Sequence, residues 1–187
     1  SESDEVGQQL FGTLTQQNLQ PVDQQTQVSQ LRVQAQRQAT RARNLDVPGD
    51  MENAQRNLLL TLDLRADAIA KIASRIVQVR GDQEGAAEQA LDQITGEMQA
   101  FLASDVIYLQ RVVPFITEAL ADAEIGGQRI VGARFMDDIT WLQSDAVATR
   151  VGANAAGDGG GGGNQQVAPG RHGHGLVVEP GDVVAVA

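Results

Sequence analysis

The run from Asp50 to Arg80, DMENAQRNLLLTLDLRADAIAKIASRIVQVR, constrains this chain more than any other stretch. Met51, Leu58, Leu62, Ile69, Ile72 and Ile76 recur at three- and four-residue spacing, with Ala54, Ala66 and Ala73 in the same stripe, so one helical face is apolar from end to end. Arg56, Asp63, Asp67, Lys71 and Arg75 fall largely off that stripe and are expected to face water. Pro48-Gly49-Asp50 supplies a starting turn with Asp50 as the expected N-cap, and Gly81 stops the helix after Arg80. At 1.5 Å per residue this is a rod of roughly 45 Å. Such a helix holds in water only when its apolar face is covered, so the flanking segments must supply helices that pack along it.

They do so on both sides. From Asp23 to Asn44 a Gln-rich stretch keeps Val28, Leu31, Ala35, Ala42 and Leu45 at heptad-like positions. After Gly81, Asp82 is the expected cap of a further helix whose inner face is Ala86, Ala87, Ala90, Ile94, Met98, Phe101 and Leu102. Ser104-Asp105 interrupts that pattern. Val106, Ile107, Leu109, Val112 and Val113 then read as a continuation or a new helix, and Pro114 must bend or restart it because it has no N–H to donate. Phe115, Ile116, Ala119, Leu120 and Ala123 carry the period to the Gly126-Gly127 turn, and Phe135, Met136, Ile139, Trp141 and Leu142 cluster near a short helix ending at Val151. Trp141 reads as a lid over the core. Ahead of all this, residues 1–22 form an acidic arm in which Val6, Leu10 and Leu14 allow a short docking helix that Gly7 and Gly12 weaken.

The expected fold is therefore mainly α: an elongated antiparallel helical bundle over residues 23–151, preceded by the 1–22 arm. A Gly-rich linker over 152–175 and a β-hairpin over 176–187, LVVEPGDVVAVA, follow it. The Gly157 to Gly163 run, broken only by Asp158, reads as a tether and not as a phosphate loop, since no Gly-Lys-Ser/Thr follows.

Composition excludes several functions. With 187 residues, 42% hydrophobic and 3% aromatic, the chain supports one core built from Leu, Ile, Val and Ala. A formal charge of -10 opposes nucleic-acid binding and attachment to anionic lipid. The basic arc Arg32, Arg37, Arg41 and Arg43 lacks interleaved aromatics for base stacking and reads as a solvated face. The count of zero cysteines removes disulfides and thiolate chemistry. No run of eighteen or so apolar residues is apparent, so neither a signal peptide nor direct membrane insertion of this fragment is expected. The chain starts at Ser1 rather than Met, so a processed form or an excised piece is expected.

His172 and His174, the two histidines, both lie in the tail, so the helical body can build neither a Ser-His-Asp set nor a helical Glu-x-x-His metal site. The carboxylates that remain are Glu118 and Asp122, four apart on one helix, and Asp137-Asp138 in the next segment. If they converged they would form a hard-cation site, but solvated helix faces account for them more simply. No cofactor and no catalytic residue is expected.

The succession LRVQAQRQATRARNLDVPGDMENAQRNLLLTLDLRADAIAKIA, MQAFLASDVIYLQRVVPFITEALADAEIGGQRI and ARFMDDITWLQSDAVATRVG resembles a group of uncharacterised actinobacterial envelope proteins. Asp46-Val47-Pro48 and Arg134-Phe135-Met136-Asp137-Asp138 are its most recognisable points. The resemblance implies an extracytoplasmic helical region anchored by an upstream membrane helix and followed by a β-sandwich-like piece, and it carries no activity. The expected function is a non-catalytic extracytoplasmic interaction or spacer domain, with a protein partner or self-association through helical faces. The alternative is a small-ligand or divalent-metal binding module using a pocket near Tyr108 to Trp141.

Overall fold

A computed structural model describes residues 2–128, 130, 132 and 134–153; the Gly157–Gly163 tether, His172, His174 and the 176–187 hairpin lie outside the described residues. The fold is a mainly α helical bundle organised on α3 (Glu52–Val79), where Leu62, Ala66, Ile69, Ile72, Ala73 and Ile76 are buried as their spacing predicts. Its start differs from expectation. Gly49–Met51 form a 3-10 turn and Met51 takes the cap position with no side-chain hydrogen bond, so Asp50 is not the N-cap. The tightened turn draws Asp50 into the helical path, where its carboxylate still lies at the positive end of the helix.

α2 (Pro21–Arg43) opens on proline, whose fixed φ suits the first helical position and whose missing N–H costs nothing there. Val28, Leu31, Ala35 and Ala42 are buried along it, but the helix ends at Arg43 and leaves Leu45 58% exposed. α4 (Glu84–Ile107) buries Ala87, Ala90, Ile94, Met98 and Phe101; its cap position is Gln83 rather than Asp82, again without a side-chain cap bond. Contacts between the helices set their directions. Gln25 reaches the Ala73 carbonyl and Arg43 pairs with Asp63, while Lys71 pairs with Glu97 and Arg65 with Asp105, so α3 runs antiparallel to both neighbours.

The residues expected as an arm form α1 (Glu2–Leu14), which belongs to the core: Val6, Leu10 and Leu14 are 2%, 0% and 0% exposed. Glu2 meets Arg41 near the C-terminal end of α2, and the Gln24 amide donates to the Thr13 and Leu14 carbonyls near its start, so α1 too is antiparallel to α2. Gly7, a weak point on propensity alone, is needed for packing. A Cβ at this position would lie 2.5 Å from the Phe135 carbonyl oxygen, so only glycine lets the two backbones approach this closely.

Of the two readings open after Ser104-Asp105, the structure takes the continuation: the helix runs on to Ile107. It then widens into a π-helical turn, Tyr108–Val112, before α5 (Val113–Asp122) with Pro114 in its first turn. A wider turn relieves the clash between the proline ring and the preceding carbonyls without ending the helix. This continuity corrects a second expectation. By length and composition the run Gly85–Asp122, with mean hydropathy 1.2, is apolar enough to cross a membrane, although only 22% of the relevant window is buried in the fold.

From α5 the chain turns back. A 3-10 turn (Ile139–Leu142) and α6 (Ser144–Val151) close over α4, with Gly152 at φ 67° capping α6 in the left-handed conformation that glycine adopts freely. The core is richest in rings here: Phe101 stacks on Phe135 at 4.8 Å between centroids, and Phe11 meets Phe101, Phe135 and Trp141 at 5.9, 6.3 and 5.0 Å. Trp141, at 4% exposed, is buried within this cluster more deeply than a lid would be. Ile139, expected in the same cluster, is 66% exposed. A second, smaller apolar cluster of Ala39, Ala42 and Leu62, with Leu58 and Leu59 against it, lies toward the end of α3 where it begins.

Candidate functional site

The most distinctive chemistry lies where α1, α3, α4 and the returning loop meet. Arg65 occupies a core position of α3, three residues after Leu62 and four before Ile69, and is 3% exposed. Its guanidinium spends its donors on three side chains of two elements, α4 and α1: Nη2 donates to Asp105 Oδ1 at 2.8 Å, Nε to Ser104 Oγ at 2.9 Å, and Nη1 to Ser3 Oγ at 2.7 Å. Its carbon lies 4.9 Å from the Phe135 ring centroid and 6.0 Å from that of Tyr108, within cation–π range. Ser104 passes the chain of bonds on by donating to the Phe101 carbonyl at 2.7 Å.

Asp105, 4% exposed, is shared more widely. Besides Arg65, its Oδ1 accepts from the Phe135 amide at 2.8 Å and its Oδ2 from the Met136 amide at 3.0 Å. One carboxylate thus ties α3 to α4 and fastens the returning loop onto both. Burial pushes the Arg65 pKa down, and the charge and hydrogen bond of Asp105 oppose that shift. The arrangement is built for anchoring. The carboxylate has its near donors in place and the guanidinium is no acid at working pH, so the pair has no proton to offer a substrate.

The sequence-predicted carboxylates stand elsewhere. Glu118 and Asp122 are exposed on α5, Asp137 is exposed in the loop, and Asp138 heads the 3-10 turn. Asp138 is engaged within its own segment. Oδ1 accepts from the Thr140 amide at 2.9 Å and its hydroxyl at 2.7 Å, and Oδ2 accepts from Arg150 at 2.7 Å. The Thr140 hydroxyl, then the Thr140 amide, then Arg150 hold the Asp138 pKa below the usual carboxylate value. Among the described residues no group of three or more His, Cys, Asp or Glu side chains is placed to hold a metal ion.

An open hollow of about 410 Å³ beside Leu120 and Ile125 falls within the expected region from Tyr108 to Trp141, while Tyr108 and Trp141 themselves have different surroundings. Trp141 is in the core under Arg150, 4.6 Å from its ring. Tyr108 lines an open groove of about 450 Å³ with Ala42, Leu45, Leu58 and Leu62, at the foot of which lie Ser3 and Arg65. Asp137 borders a separate recess of about 200 Å³ beside Arg134.

Because Tyr108 is the only tyrosine, its titration reports this groove directly. Burial pushes its phenol above the ordinary 10.0, Asp4 adds to the rise and Arg65 opposes it. The folded state therefore binds the proton more tightly, so the stability held by this group is intact below about pH 10 and is lost as pH rises through its folded value. The phenolate absorbance of the native protein should show a midpoint above 10.0 that falls back in denaturant. A native midpoint at or below 10.0 would contradict the half-buried setting.

Sequence reasoning passed over Arg65 and read Asp105 as a break. Spacing held the signal: Arg65 is in register with Leu62 and Ile69, and Asp105 follows Phe101 by one helical turn. Two opposite charges at core positions of neighbouring helices point to a buried pair. No family model, curated protein or solved structure matches this chain.

Proposed function

We propose that this helical unit is a non-catalytic interaction or spacer domain of the cell envelope, held outside the cytoplasm by an upstream membrane helix. The observation that carries the interaction reading is α5: Val113, Phe115, Ile116 and Leu120 make it apolar, yet it contains no buried residue. These side chains are half-buried, and apolar surface that a folded unit leaves only partly covered is available for contact. A non-catalytic role is supported by the Arg65–Asp105 pair, whose groups are consumed inside the fold, and by the dispersal of Glu118, Asp122, Asp137 and Asp138. The location rests on the sequence resemblance alone.

The test is the complete gene product expressed in its native host. The reading expects it in the membrane fraction, with this unit cut by protease added to intact cells stripped of their wall. Recovery in the soluble cytosol, protected from that protease, would overturn it.

A further inference from the structure

The loop that returns over α4 divides its residues between two jobs. Phe135 and Met136 hold it down through their amides, which donate to Asp105 at 2.8 and 3.0 Å, and Asp138 closes the next turn by accepting from Thr140 at 2.9 and 2.7 Å. Arg134, Asp137 and Ile139 alternate with these and do none of that work. Among the described residues neither Arg134 nor Asp137 makes a hydrogen bond or an ion pair, and Ile139 is 66% exposed. All three line one recess of about 200 Å³, whose opposite wall is Leu102 and Val106 of α4 with Leu109 of the π-helical turn. Val106 is left 52% exposed there. The buried residues of the lining, Asp105 and Met136, are bonded to each other and fix its floor.

We propose that this recess binds a free α-amino acid with an apolar side chain of about leucine's size. The two charges of the lining select a zwitterion. Arg134 offers a guanidinium fork to a carboxylate, and Asp137, on the same braced loop, offers an acceptor to an ammonium group. A simple carboxylic acid would meet the like charge of Asp137 and a simple amine that of Arg134, while a peptide terminus would answer one and leave the other unmet. A free amino acid answers both. Volume sets the size: about 200 Å³ lies below the roughly 300–1,000 Å³ of sites that take drug-sized ligands, and it admits one side chain with its own backbone. The apolar lining then discriminates by chemistry, because a hydroxyl or amide pressed against Leu102, Val106 and Ile139 loses its water and gains no partner. Both walls are fixed before the ligand arrives, since Asp105 ties the loop to α4, so binding has little of the chain left to order.

This inference goes beyond the interaction reading, which rests on α5 and stands or falls separately. The full chain is titrated calorimetrically with leucine, serine, N-acetyl-leucine and leucinamide, the last two lacking the ammonium and the carboxylate charge respectively. Leucine should bind saturably with a Kd below about 1 mM, and each of the other three about tenfold or more weakly. Two substitutions at exposed side chains without partners in the fold then assign the charges. Arg134→Gln should weaken leucine about tenfold and erase the difference between leucine and leucinamide, whereas Asp137→Asn should weaken it similarly and erase the difference between leucine and N-acetyl-leucine. Urea unfolding unchanged from the parent shows that each variant is intact. The absence of both a saturable heat and a rise in Tm at about 10 mM leucine would overturn the proposal. So would serine binding as tightly as leucine, or leucine binding that both variants leave unchanged.

Discussion

Asp105→Ala is expected to destabilise the fold by about 3–5 kcal/mol, because it leaves a guanidinium buried without its counter-ion. Arg65 is 3% exposed and cannot turn to water without leaving the α3 face. The Phe135 and Met136 amides lose their acceptor in the same step, and each buried donor left unsatisfied carries its own penalty of about 1–3 kcal/mol. Urea unfolding with linear extrapolation measures the change. The pair itself is a weaker source of stability than its disruption suggests, since desolvating two charges offsets most of their attraction. Arg65→Met combined with Asp105→Leu should therefore be less damaging than Asp105→Ala alone, a non-additivity that only direct coupling produces. A loss under about 1 kcal/mol for Asp105→Ala would show that the node is not sealed from solvent.

Phe101→Ala is the second large effect, at about 3–5 kcal/mol. Phe101 is 0% exposed, stacks on Phe135 at 4.8 Å and meets the edge of Phe11 at 5.9 Å. Its removal opens a cavity between α1, α4 and the returning loop that backbone shifts cannot close, because Gly7 already holds α1 at the shortest distance from Phe135. Removing each ring–ring pairing adds about 0.5–1.5 kcal/mol beyond the area exposed. The fluorescence of Trp141, the sole tryptophan, follows the transition from within the same cluster. The natural comparison is Leu62→Ala. Leu62 lies in the smaller cluster at the edge of the open groove, so its truncation should cost about 2 kcal/mol, the lower end for such changes. If Phe101→Ala cost no more than Leu62→Ala, the aromatic cluster would not be the centre of the core.

Sequence periodicity by itself determined the helices and which of their faces turn inward. The stripe from Leu62 to Ile76, the run Ala87 to Phe101 and the spacing of Val6, Leu10 and Leu14 all foretell burial, because helix geometry is local and repeats every 3.6 residues whatever the helix packs against. Where the reading of sequence departed from the structure most, at Gly7 and Asp105, the decisive partner was distant in the chain. Propensity counts Gly7 as a weakness, but the Phe135 carbonyl makes it a requirement. Leu45 matches the heptad and is exposed, since the chain has already left α2. Asp105 reads as a break in an apolar pattern until Arg65, forty residues away, removes the cost of burying its charge. The candidate carboxylates Glu118, Asp122, Asp137 and Asp138 carry the right chemistry for a cation, and tertiary structure alone decides that they stand apart. Local pattern encodes the free energy of forming an element and of hiding its apolar face. Whether a charge, a glycine or a leucine is satisfied depends on atoms that only folding brings within a few ångströms.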